Sequence, residues 1–197
     1  MTPASDTMDI HRGLPKGFEA AAAALYWQAF EGKLSRLMGP ADRAQAFFTE
    51  TINPAAVIAA IEGDALLGVA AFKHVPDGFS TGGMGALWRH YGPSSLWRAF
   101  PLALLERKAP AGVLQMDGIC VAAAARGRGV GTALLNGLFD YARDTGFQAV
   151  TLDVIDRNPR ARALYERIGF AAQGQHSAWP LRGLLGFDYA TRMVKTL

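Results

Sequence analysis

The sequence predicts an α/β fold, and three observations carry the prediction. Residues 113–170 alternate strand, glycine-rich loop, helix, strand and helix, which is a βαβα unit. Residues 57–75 hold two apolar runs joined by Glu62-Gly63-Asp64, the pattern of a β-hairpin. Residues 17–32 run through strong helix formers without a break. A chain of 197 residues can bury one substantial core. One domain over residues 1–197 is therefore expected, with an insertion at about 76–110.

After a polar lead, residues 8–14 read as a short strand ended by Leu14-Pro15. The helix from Gly17 stops near Gly32 or Gly39. A second helix covers 42–52, with Asp42 as N-cap, and Asn53-Pro54 breaks it. The hairpin then pairs 57–61 with 66–75. Within 76–110, FSTGGMGALW reads as a glycine-rich loop, and LWRAFPLALLERK reads as a helix broken by Pro101. Phe79, Trp88, Tyr91, Trp97 and Phe100 lie here, either burying the insertion or lining a lid over a small-molecule site. A strand at 113–121 follows, then the loop, then a helix that repeats Leu134, Leu138, Tyr141 and Ala142 and stops at Gly146. FQAVTLDVI is the next strand, and Asn158-Pro159 opens a helix that Gly169 ends. Residues 171–179 and 187–194 read as two last strands.

Composition narrows the function. Half of the residues are apolar and 19% are charged, an ordinary globular balance. The net charge is +3, but the basic residues are scattered, so a local anionic ligand fits better than nucleic acid. A single cysteine, Cys120, excludes an internal disulfide or a CxxC metal site. The first residues lack an apolar signal core, and no segment reaches 18 uninterrupted apolar residues. The expectation is a cytoplasmic protein without a membrane partner.

The stretch RGRGVG sits between a strand and a helix. A helix N-terminus offers unpaired N–H groups and a positive dipole end, both suited to phosphate. Glycines 127, 129 and 131 remove side chains from the approach, and Arg126 and Arg128 add charge. No GxxxxGK string exists, which excludes a nucleoside triphosphate loop. A dinucleotide loop needs GxGxxG, but Gly127-x-Gly129 leads to Thr132 and Gly129-x-Gly131 to Leu134, although Asp153 stands about twenty residues on.

Arg126-x-x-Gly129-x-Gly131 resembles the Arg/Gln-x-x-Gly-x-Gly/Ala signature of the GNAT acetyltransferase superfamily. A second family motif, N-x-x-A-x-x-L-Y-x-x-x-G-F, is matched by Asn158, Ala161, Leu164, Tyr165, Gly169 and Phe170. Together the motifs cover about residues 113–170. The resemblance implies a mixed, mostly antiparallel sheet of about six to seven strands flanked by helices. It implies transfer of an acetyl group from acetyl-CoA, without a metal, to a primary amine of a small molecule or peptide, by direct attack in a ternary complex. A non-catalytic acyl-CoA sensor is the alternative, and a homodimer is possible in the superfamily.

The resemblance places the CoA pyrophosphate on Arg126, Gly127, Arg128, Gly129, Val130, Gly131 and Thr132, and the pantetheine arm on backbone atoms of Ile119 and Val121. Asn158 lies near the cofactor in that arrangement. The N–H of Val121 is suited to a developing oxyanion. Tyr165 matches the acid that assists the departing thiolate. Asp117 is the candidate base, because strand alternation puts it on the face of Ile119 and Val121. His74, His90 and His176 are weaker candidates. The same alternation turns Cys120 to the other face, with Gly118 and Met116, as a small buried hydrophobe.

Overall fold

The computed structural model describes residues 7–73, 78–105, 110–179 and 182–197. Seven strands form one sheet in the order β1-β2-β3-β4-β5-β7-β6. They are β1 (Asp9–Arg12), β2 (Val57–Glu62), β3 (Ala65–Lys73), β4 (Val113–Val121), β5 (Ala149–Ile155), β6 (Ala171–Ser177) and β7 (Tyr189–Thr196). Only β4 and β5 run parallel, so the sheet is mixed and mostly antiparallel, as expected.

Helices cover both faces. On one lie α1 (Glu19–Met38) and α2 (Ala41–Thr51), joined by α3 (Met84–Tyr91) and α4 (Ser95–Leu105). On the other lie α5 (Val130–Asp144) and α6 (Pro159–Arg167). A single turn, α7 (Arg182–Leu185), connects β6 to β7. Two apolar layers result, because alternate residues of each strand point to opposite faces. Val57, Ala59, Val69 and Cys120 face α1, whereas Ile58, Ala70, Leu114 and Leu152 face α5.

Local chemistry explains most boundaries. The β2–β3 hairpin closes through Gly63-Asp64, with Glu62 opposite Ala65 and Gly63 at φ 55°. The Gly17 N–H donates to Glu19 Oε2 at 2.8 Å at the start of α1. Asn158 caps α6 by accepting from the Ala161 N–H at 3.2 Å, as expected.

Four expectations need correction. The stretch FSTGGMGALW is not all loop, because α3 takes over at Met84. Asp42 is not the N-cap of α2: Pro40 takes that place and the helix starts at Ala41, leaving Asp42 in the first turn, where its charge suits the dipole. Pro101 does not break α4, which runs Ser95–Leu105. The ring removes only the one N–H that would reach the Trp97 carbonyl, and the helix continues past it. The insertion is not buried by its tryptophans: Phe79 and Tyr91 are buried, but Trp88, Trp97 and Phe100 are exposed. The end of the predicted 66–75 strand lies outside the described residues, and so does His74.

Candidate active site

The site begins where two strands part. The parallel pairing of β4 and β5 runs from Val113↔Ala149 to Gln115↔Thr151 and stops. On the other side of β4, Phe72 pairs with Met116 and Ala71 with Gly118, so Asp117 is an extra residue: a β-bulge. A bulge bends its strand, and here the bend coincides with the fork. A cavity of about 330 Å³ fills the fork, lined by residues 116–119 of β4 and 152–155 of β5. Phe30 lines it from the α1 side, and Ala161 and Tyr165 line it from the α6 side. It therefore passes between the strands and reaches both layers.

Backbone direction inside the fork follows from one bond. The Ala122 N–H donates to the Leu67 carbonyl at 2.8 Å, so Ala122 and, by alternation, Cys120 turn their backbone groups toward β3. Ile119 and Val121 then turn theirs away from β3, into the gap that β5 leaves.

The bulge corrects the predicted faces. Met116 joins Ile119 and Val121 in the layer under α5 and α6, not Cys120. Asp117 does not share that face, since an inserted residue reverses the alternation. Its carboxylate lies on the α1 side, where a Cβ on Gly78 would come 2.7 Å from Oδ2. Nearby Tyr26 has its pKa raised, first by burial and then by Asp117 and Cys120. Gly118 is required for a steric reason: a Cβ there would stand 2.3 Å from the Phe30 ring.

At the strand end, Gly127 and Gly129 have φ of 79° and 81°, with nothing within 4 Å of where a Cβ would stand. That backbone region favours glycine. The first intrahelical bond of α5 runs from the Ala133 N–H to the Gly129 carbonyl at 3.0 Å. Helix geometry therefore leaves the N–H groups of Val130, Gly131 and Thr132 pointing out of the first turn. Val130 is buried, Gly131 and Thr132 are half-buried, and Arg126 is exposed. Arg128 donates to Glu62 Oε1 at 2.6 Å, which holds its guanidinium beside the β2–β3 turn. A Cβ on Gly131 would meet Leu164 at an ordinary 3.5 Å, so that glycine is less constrained than its neighbours.

The remaining candidates separate clearly. Tyr165 is buried, lines the cavity, and has its pKa raised by burial and by Cys120. Asn158 lines the cavity as well as capping α6. Cys120 is buried, its thiol pushed up to about 12 by desolvation, so it is no nucleophile near neutral pH. His90 contacts Glu50 at 2.6 Å on α3, and His176 lies on β6; neither lines the cavity. The sequence reading missed Asp153 as a cavity residue. It stands two residues beyond Thr151, as Asp117 stands two beyond Gln115, and Ile155 on its alternation packs with the α1 layer. Arg192 holds it through two contacts of 3.3 Å. The two carboxylates thus flank the fork.

The acetyltransferase family described as "Acetyltransferase (GNAT) family" matches residues 20–170. This chain belongs to the GNAT family. Among curated relatives of this GNAT chain, a mycothiol acetyltransferase of Beutenbergia cavernae is 35% identical over 102 residues, 48% of this chain and 34% of the relative. A mouse protein described as a probable N-acetyltransferase family 8 member 5 is 34% identical over 64 residues, 32% of this chain and 28% of its own. The chain thus spans about a third of the length of these relatives. The fold matches an N-acetyltransferase from Staphylococcus aureus Mu50 with TM-score 0.64 at 18% identity, covering 95% of this chain and 100% of the other. A Salmonella typhimurium protein solved with its cofactor acetyl-CoA matches with TM-score 0.61 at 18% identity, covering 96% and 94%. No described helix of this GNAT chain is long and apolar enough to cross a membrane.

Proposed function

We propose that this protein transfers an acetyl group from acetyl-CoA to a primary amine by direct attack, with donor and acceptor reaching the fork from opposite faces of the sheet. The observation that carries this reading is the cavity itself, lined by Tyr165 from one layer and Phe30 from the other, between strands that have stopped pairing. The residues present fit the donor. Two glycines with positive φ leave a bare backbone at the start of α5, suited to a pyrophosphate. The outward backbone groups of Ile119 and Val121 suit the amides of a pantetheine arm.

Acetyl-CoA, when bound, supplies the activated acetyl group. The chain's own residues supply the rest. An alkylamine of pKa ~10.4 is neutral in only about 1 molecule in 2,500 at pH 7, so a base is useful. Asp117 takes the amine proton from the α1 side, and Asp153 helps hold the ammonium before it is lost. The amine nitrogen would form its bond to the thioester carbonyl carbon as the carbon–sulfur bond breaks, and the second N–H proton, released as the amide forms, would pass to the departing sulfur, which leaves as the thiol. The Val121 N–H, turned away from β3, would donate to the oxygen that becomes negative. Tyr165 stands on the leaving side. Burial raises its pKa, so it stays protonated as a hydrogen-bond donor while becoming a weaker acid toward a thiolate of ordinary pKa ~8.5.

The deciding experiment is a thermal melt with saturating acetyl-CoA, with NADH as control, followed by a thiol-release assay across an amine panel. A ligand at about 100 times its dissociation constant adds ~2.7 kcal/mol, a rise of several degrees. A rise with acetyl-CoA alone and thiol release with an amine support the reading. No rise in a folded sample overturns the donor site, and a rise without turnover of any amine favours a sensor.

A further inference from the structure

A glycine inside a helix needs a reason, because it forfeits helix stability relative to alanine. Gly137, in the middle of α5, has one. A Cβ there would stand 2.7 Å from Ile10 and 3.1 Å from Ile58, so α5 packs closely on β1 and β2 through it. Gly32 has no such reason. It lies within α1, away from either end, and its φ is not positive. Among the described residues no atom lies within 4 Å of where its Cβ would stand. Alanine would fit the folded chain there and make a better helix.

What Gly32 does border is the cavity of the fork. It lines that space together with Phe30 and with Ala29, its neighbour one turn back on the same face of α1. Gly186, just after α7, lines it too, with φ of 74° and a Cβ position 3.4 Å from the Gly32 carbonyl oxygen. Where α1 meets the α7–β7 turn, the cavity is therefore framed by residues with at most one side-chain carbon. Phe30 and Ile155 make the neighbouring walls apolar.

We propose that Gly32 sets acceptor specificity: it keeps the α1 side of the fork wide enough for an amine on a bulky apolar body, one whose ring or branch lies over Gly32 and against Phe30. A side chain at position 32 takes space from that body and from nothing else in the protein. A bulky amine also covers the apolar walls and gains affinity that a short amine does not. The helix stability given up at Gly32 is thus exchanged for room. The inference rests on the acetyl-transfer reading and names the acceptor class within it.

Turnover of an amine panel with acetyl-CoA as donor tests it, with 2-phenylethylamine and propylamine as the bulky and short members. In the wild-type protein kcat/KM should favour 2-phenylethylamine at least about tenfold. Gly32→Leu should raise the melting midpoint by about 2–4 °C. It should also lower the bulky-to-short ratio at least about 20-fold, chiefly through KM. Gly32→Ala should lower the ratio about three- to tenfold, and it decides the matter if the leucine variant melts below the wild type. Gln28→Leu, exposed on α1 and outside the cavity lining, leaves the ratio unchanged. Two outcomes overturn the inference and leave acetyl transfer standing: a wild type that prefers short amines or treats both sizes alike, and a ratio that substitution at Gly32 does not move. Turnover of no amine of either size overturns the acetyl-transfer reading and this inference with it.

Discussion

The α5–α6 side of the fork draws its cavity residues from one stretch of chain, residues 116–165, whereas the α1 side gathers Phe30, Gly32, Asp117, Asp153 and Gly186 from across the sequence. The first side works mainly with backbone: bare glycines, a helix start and strand amides. The second works with side chains, two carboxylates and a ring. On the proposed reading, donor recognition by backbone can be written in a short local motif, whereas acceptor recognition is assembled only by the fold. On the same reading the donor class is far better defined than the acceptor.

The largest effect is expected from what the two sides share. Tyr26 on one side, Tyr165 on the other and Cys120 between them all have raised pKa values, burial being the first cause. For such acids the unfolded chain loses its protons first. The stabilisation is complete below the unfolded pKa of about 9 to 10 and is lost as pH rises toward the folded values. For Cys120 that window runs from 9.0 to about 12. Tyr165 and Cys120, both buried, each add at most about 1.4 kcal/mol per pH unit, and the partly buried Tyr26 adds less. Melts between pH 8 and pH 12 should show a steep decline beginning near pH ~9; a flat profile would mean these groups are wet.

Breaking the donor side alone comes next. Gly129→Val puts a β-branched residue at φ 81° and closes the bare backbone. Acetyl-CoA affinity by calorimetry should fall roughly 100-fold or more. Breaking the acceptor side alone, Asp117→Asn should lower kcat about 100-fold and leave acetyl-CoA affinity intact. Equal losses of both quantities in either variant would erase the distinction between the sides.

Smaller changes sharpen it. Tyr165→Phe should lower turnover about tenfold or less, because a phenol of raised pKa contributes a hydrogen bond more than a proton; unchanged turnover at unchanged affinity removes it from the chemistry. Gly118→Ala drives a methyl to 2.3 Å from Phe30 and should cost about 1–3 kcal/mol in denaturant unfolding. Gly131→Ala meets Leu164 only at 3.5 Å and should cost no more than about 0.5 kcal/mol. If the two alanines cost the same, steric fit is not what fixes Gly118.

The strands and helices were largely legible because their signals are local: Gly63-Asp64 for the hairpin, Asn158-Pro159 for α6, and the glycines before α5. The bulge was not, since nothing in LQMDGICV marks Asp117 as the extra residue, and one register slip misplaced both Asp117 and Met116. Asp153 was visible only as a carboxylate at dinucleotide spacing. Its place at the fork depends on pairings with β4 and β7 that lie far off in sequence. The tryptophans of the insertion misled in the other direction, because an aromatic on a helix reads as core until the packing shows otherwise.

The extra residue in β4 also sets a trade between durability and chemistry. Removing it would let Met116 and its neighbours alternate without interruption along β3, straighten the strand, and allow β4 and β5 to continue their ladder past Gln115 and Thr151. Such a shortened chain would gain backbone hydrogen bonds and lose the passage between its two layers. Selection for a sturdier sheet and selection for an open fork therefore pull on the same single position.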